Sequence, residues 1–100
     1  MNDLINTQIK TLREIFKEHL IKEAYVFGSV TTDQFNEDSD VDILVSFINI
    51  PFDGYADNLW DLEDKLEDIL GRKVDVIPDH TLKNPYFINS VDENKIKIYG

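Results

Sequence analysis

Fifteen residues, GSVTTDQFNEDSDVD at positions 28 to 42, constrain this chain more than any other stretch in it. They join the end of one apolar run, Ala24-Tyr25-Val26-Phe27, to the start of another, Ile43-Leu44-Val45. Both runs have the length and composition of short buried strands. A Gly directly after a strand lets the backbone come close to a phosphate, and Ser29 adds a hydroxyl beside free amides. Asp40 and Asp42 lie two apart at the head of the second strand, so their carboxylates share one face of a sheet. Two such carboxylates repel each other unless a cation sits between them. Mg²⁺, held by one or two carboxylates together with substrate phosphates, is the usual answer.

A third carboxylate belongs to the same pattern. Arg72-Lys73-Val74-Asp75-Val76-Ile77 follows Gly71 and ends at Pro78, a β-branched run interrupted by one acid. An Asp inside such a run is costly to bury without a partner. A metal shared with Asp40 and Asp42 supplies one; the alternative is an edge strand with Asp75 turned to solvent.

The Gly-Ser pair, ten intervening residues and Asp-x-Asp resemble the signature of the polymerase-beta type nucleotidyltransferase superfamily. The chain is most similar to the minimal nucleotidyltransferases, the MNT or MntA-like antitoxins, and the resemblance covers nearly all 100 residues. It implies an α/β (α+β) fold, a small mixed β-sheet packed by helices like a polymerase palm. It also implies an enzyme that moves AMP from ATP to a hydroxyl, typically tyrosine, of a HEPN-type toxin partner. Asp40, Asp42 and Asp75 would be catalytic and would hold two Mg²⁺ ions, with Asp75 as candidate general base. Gly28, Ser29 and Ser39 would contact the nucleotide. One departure stands out: the family commonly carries Arg or Lys soon after Gly-Ser, whereas residues 30 to 39 hold no cation and three acids. Arg72, Lys73 and Lys83 are the candidates to replace it. The rival reading is a nucleotidyltransferase fold that neutralises its partner by docking alone. Modification of a small molecule such as an aminoglycoside fits less well, since that activity usually needs a further domain to hold the drug.

Charge placement narrows the partners. No Lys or Arg occurs from Ala24 to Asp64, where ten acids stand, and the rest of the chain balances ten basic against ten acidic residues. The whole net charge of −10 therefore sits on one segment. It repels a nucleic-acid backbone, whose binding depends on Lys and Arg. It suits a metal-bound nucleoside triphosphate, because the cation reverses the local field, or a basic protein partner. The chain has no cysteine, which excludes disulfides, thiolate zinc sites and a cysteine nucleophile. Neither a membrane span nor a signal-peptide pattern is present in the sequence, so the expected location is the cytoplasm.

The remaining elements are expected from periodicity. One helix carries Leu4, Ile5, Ile9, Leu12, Ile15, Phe16 and Leu20 on one face. A second runs from about Tyr55 to Leu70 with Gly71 as its cap, Trp60 in the core and an Asp61–Lys65 pair outside. Pro85 opens a short third helix, and Lys95 to Tyr99 alternates like an edge strand that could pair with a second copy. Asp38-x-Asp40-x-Asp42 imitates the start of an EF-hand loop. That reading fails because Ile43 and Asn49 occupy the places of its obligatory Gly and Glu. His19 is expected to meet the first helix's C-terminal dipole, and His80 to be a surface residue. One domain over residues 1–100 accounts for the whole pattern.

Overall fold

Helical spacing of apolar residues and short β-branched runs alternate along the chain, and the two kinds of element assemble in layers. The computed structural model describes residues 3–28, 39–49 and 53–100. In chain order the elements are α1 (Asp3–Glu18), β1 (Ile21–Phe27), β2 (Val41–Phe47), α2 (Tyr55–Leu70) and β3 (Val74–Pro78), then a 3-10 turn (Asp79–Thr81), α3 (Pro85–Asn94) and β4 (Ile96–Tyr99). The sheet order is β3-β2-β1-β4. β1 pairs antiparallel with β2 and β4, while β2 and β3 run parallel, as a strand–helix–strand crossover through α2 requires. The expected mixed sheet packed by helices is the observed one.

Alternation along the strands decides what each face touches. Val41, Ile43, Val45 and Phe47 of β2 join Ala24 and Val26 of β1, Val74 and Val76 of β3, and Ile98 of β4. These pack on Ile5, Leu12, Ile15 and Phe16 of α1 and on Leu62, Leu66 and Leu70 of α2, forming the main core. The residues between them point the other way. There Phe27 and Leu44 meet Val91 of α3, with Tyr25, Ile77 and Leu82 around them. Asp42 lies on this second face, where among the described residues α3 and Leu82 provide the covering.

Local chemistry sets the ends of the helices. Gly71 follows α2 at φ 68°, and its N–H donates to the Glu67 carbonyl. No atom lies within 4 Å of where its Cβ would be, so backbone conformation and not space selects glycine there. Asn84 caps α3, its side-chain oxygen accepting from the Tyr86 and Phe87 amides, with Pro85 in the first turn. On edge strand β3, the Val74 N–H donates to the Glu67 carboxylate at 3.0 Å, which occupies one edge donor.

Three expectations need correction. Trp60 is 64% exposed. It shares the outer face of α2 with Asp57, Asp61 and Asp64 while Leu62 and Leu66 point inward. The first strand begins at Ile21, ahead of Ala24, because β1 continues to pair with β2 as far as Ile21↔Phe47. Finally, α1 ends at Glu18, and Leu20 sits at φ 63°, outside the helix. His19 does bond the helix's C-terminal end, at the Ile15 carbonyl, but it is buried and also bonds Asp61 of α2. Among the described residues no helix is long and apolar enough to cross a membrane.

Candidate active site

Register brings the carboxylates together. Parallel pairing sets Asp42 of β2 opposite Asp75 of β3, and antiparallel pairing sets Asp42 opposite Phe27 of β1, next to Gly28. Asp40 stands two residues before Asp42, just ahead of the strand, and is exposed. Two contacts from the start of β3 hold this approach in place. Arg72 donates from Nη1 to the Ser39 carbonyl at 3.2 Å, and the Val41 N–H donates to the Lys73 carbonyl at 3.0 Å.

The electrostatics follow from that crowding. Burial pushes the Asp42 carboxyl above the usual Asp range, and repulsion from Asp75 and then Asp40 adds to it. Lys73 offers the nearest countercharge, its Nζ 4.0 Å from Asp75 Oδ1 with both groups largely open to solvent. Of the three cations named from sequence, Lys73 thus faces the carboxylates and Arg72 binds the backbone leading to Asp40. Glu63 on α2 is also pushed up, first by burial and then by Glu67 and Asp75. Among the described residues no three His, Cys, Asp or Glu side chains are gathered closely enough to form a ready-made metal cage. Asp40 acts on Asp42 through charge.

Gly28 closes one side. Its φ is +75°, and a Cβ there would lie 2.6 Å from Asp42 Oδ2. The position therefore excludes side chains through both backbone and space. Gly28→Ala is expected to displace Asp42 and to lower stability by about 1–3 kcal/mol. Thermal unfolding checks it; a variant of unchanged stability would show that the glycine is dispensable to the fold. Ser29, expected to contact the nucleotide, lies outside the described residues. Ser39 is placed beside Asp40 with its carbonyl on Arg72.

A cavity of about 340 Å³ opens next to Gly28 and Asp42, with Phe27, Phe87, Ser90, Val91 and Asn94 as its other walls. Sequence reasoning missed the α3 contribution. The signal was the helical spacing of Phe87, Val91 and Asn94, which puts all three on one side of that helix.

The structure thus gathers adjacent aspartates on two parallel strands of a mixed sheet, with a left-handed glycine against one of them. The nucleotidyltransferase domain family model matches residues 9–98. A Methanocaldococcus jannaschii protein provisionally named a protein adenylyltransferase is 37% identical over 98 residues, covering 98% of this chain and 94% of its own. Protein adenylyltransferase MntA of Thermococcus cleftensis is 38% identical over 84 residues, covering 84% of this chain and 79% of its own. A solved structure provisionally described as a minimal nucleotidyltransferase superposes with a TM-score of 0.78 at 27% identity, over 96% of this chain and 95% of that one. The fold is also that of a Shewanella oneidensis structure described as a tri-AMPylated HEPN toxin in complex with MNT antitoxin. There the TM-score is 0.68 at 18% identity, over 95% of this chain and 71% of that one. The chain belongs to the nucleotidyltransferase domain family, in its minimal, MntA-like branch, and is a nucleotidyltransferase.

Proposed function

We propose that this protein transfers AMP from ATP to a hydroxyl, a tyrosine in the first instance, of a HEPN-type toxin and so acts as its antitoxin. The pairing of Asp42 with Asp75 beside Gly28 carries the reading. The relatives named as adenylyltransferases and the related toxin–antitoxin fold support the donor and the partner.

In this reading the triphosphate lies along Gly28, whose missing side chain lets phosphate reach the backbone. The acceptor hydroxyl comes to the open β3 edge, where Asp75 takes its proton. The acceptor oxygen bonds to the α-phosphorus, and the bond from that phosphorus to the pyrophosphate oxygen breaks. The donor set is all oxygen, and the two paired carboxylates leave Asp42 in want of a counter-ion, which fits a hard divalent cation. Asp40, Asp42 and Asp75 would hold Mg²⁺, which when bound supplies charge neutralisation at the phosphates. Lys73, its Nζ 4.0 Å from Asp75 Oδ1, brings a positive charge near the carboxylates, which residues 30–39 lack.

Intact mass spectrometry of the partner after incubation with this protein, ATP and Mg²⁺ tests the proposal. Increments of one or more AMP groups are expected. A stable complex with a partner that was unmodified at the start and stays so would instead assign neutralisation to docking alone.

A further inference from the structure

Tyrosine is the acceptor side chain of the proposed transfer, and the chain carries four of its own. Three are placed away from the aspartates. Tyr55 and Tyr99 pack on the main core, on the face of the sheet that α1 and α2 cover. Tyr55 meets the rings of Phe47 and His80, and Tyr99 meets Phe16 with the rings 5.6 Å apart. Tyr25 lies on the second face, but its hydroxyl donates to Glu23 at 2.6 Å and Lys95 Nζ stands 4.5 Å from its ring centre. It lines a separate hollow with Ser46 and Asp79, towards the end of β2 away from Asp42.

Tyr86 differs on each count. It is 85% exposed and stands in the first turn of α3, the helix whose Phe87, Ser90, Val91 and Asn94 wall the cavity beside Asp42. It directly precedes Phe87 and, four residues before Ser90, shares that residue's side of the helix. Its backbone is held in place, because the Tyr86 and Phe87 amides both donate to the Asn84 cap. Phe87 meets Phe27 edge to face, the rings 6.1 Å apart. Phe27 precedes Gly28, where a Cβ would lie 2.6 Å from Asp42 Oδ2. A short run of neighbours thus joins the base of Tyr86 to Asp42. The side chain itself is unconfined, and exposed rotamers exchange within nanoseconds, so its hydroxyl can swing over the mouth of the cavity.

We propose that Tyr86 is an acceptor within the enzyme's own chain, taking AMP from ATP when no partner occupies the β3 edge. The proposal rests on the nucleotidyltransferase reading and extends it to a modification site on this protein. The phenolic oxygen of Tyr86 bonds to the α-phosphorus, the bond from that phosphorus to the pyrophosphate oxygen breaks, and the phenolic proton passes to Asp75. An acceptor tethered beside the donor reacts at high effective concentration, so a geometry reached only intermittently still competes with a partner that must first bind.

Intact mass of the protein alone, before and after incubation with ATP and Mg²⁺, tests it, with any adduct present at the start first removed by phosphodiesterase. Peptide mapping locates the increment. A single AMP increment on Tyr86 is expected, and its rate constant should hold when the protein is diluted about tenfold, as an intramolecular step requires. Tyr86→Phe keeps the ring and removes the acceptor oxygen. That variant should stay unmodified and still transfer AMP to the partner at the wild-type rate, whereas Asp42→Asn should modify neither. A wild type that modifies its partner but never itself would overturn the internal acceptor and leave the transfer reading standing. So would an increment mapped to Ser90 or any other residue, one that persists in Tyr86→Phe, or a rate constant that rises with protein concentration. Modification of neither acceptor would overturn both.

Discussion

Asp42→Asn is expected to abolish transfer and, in the absence of divalent cations, to make the protein more stable. The two effects share a cause. Asp42 is partly withdrawn from water and faces Asp75 and Asp40, so the fold disfavours its ionised form. A group whose folded pKa is raised stabilises the fold at low pH. That contribution is lost as pH climbs from the ordinary Asp range through the raised value. The wild type should therefore show a decline in melting temperature on the alkaline side of that window, and the Asn variant should lack it. Asparagine keeps the shape and removes the charge. The same charge is what the reaction requires, and losing a metal-holding carboxylate worth several kcal/mol corresponds to a fall of about a thousandfold or more in transfer. Mg²⁺ should raise the wild-type melting temperature by binding the folded state, and do so far less in the variant. Thermal unfolding across pH, with and without Mg²⁺, combined with mass analysis of the partner, measures both. Wild-type transfer by the variant would remove Asp42 from the chemistry. Neutralisation without transfer by a variant that still forms the complex would favour docking.

Alternation made the strands around Asp42 and Asp75 legible in the sequence, while their being neighbours was implied only by the family resemblance. An intervening helix makes parallel pairing feasible, but the register that sets Asp42 opposite Asp75 is a result of the structure. Gly28 was legible as a glycine that ends a strand, but its contact with Asp42 depends on how β1 and β2 pair. Trp60 was misplaced because its size outweighed its phase: helical spacing groups it with Asp57, Asp61 and Asp64, and that face is solvent. The division of labour between Arg72 and Lys73 was beyond the sequence. Neighbours in the chain, they turn to a backbone carbonyl and to a carboxylate respectively, and only the geometry of the α2–β3 turn separates them. The cavity wall on α3 was hidden similarly, since a short amphipathic helix does not announce which part of a sheet it covers.

His19→Ala is expected to destabilise the helical face strongly for a change at a polar residue, while leaving the transfer chemistry intact. His19 is only 3% exposed, the one buried polar side chain among the described residues. Its Nδ1 lies 2.6 Å from the Ile15 carbonyl of α1, which only accepts, so that nitrogen is the donor. Its Nε2 lies 2.6 Å from Asp61 Oδ2 on α2, and the same oxygen meets Lys65 Nζ at 3.1 Å. Asn58 of α2 donates to the His19 carbonyl at 2.9 Å. The residue is thus a tie between the end of α1 and the middle of α2, at the point where Leu20 turns the chain into β1. Truncation leaves a void and a buried carbonyl short of a bond, together about 2–3 kcal/mol, or a fall of roughly 10 °C or more in melting temperature for a domain of this size. The acid side of the stability profile should change as well. The hydrogen bond from His19, then that from Lys65, holds the Asp61 carboxyl below the usual range. A depressed carboxylate stabilises the fold above the ordinary Asp range, and that contribution is lost as pH falls through its lowered value. The variant should therefore show a shallower loss of stability on acidification. Urea unfolding at several pH values measures the difference. A variant within about 0.5 kcal/mol of wild type would mean that the tie matters no more than an ordinary surface contact. α1 and α2 pack against the face of the sheet opposite Asp42, so transfer measured well below the variant's melting temperature should match wild type. A loss of activity at that temperature would show that the two faces are coupled through the strands.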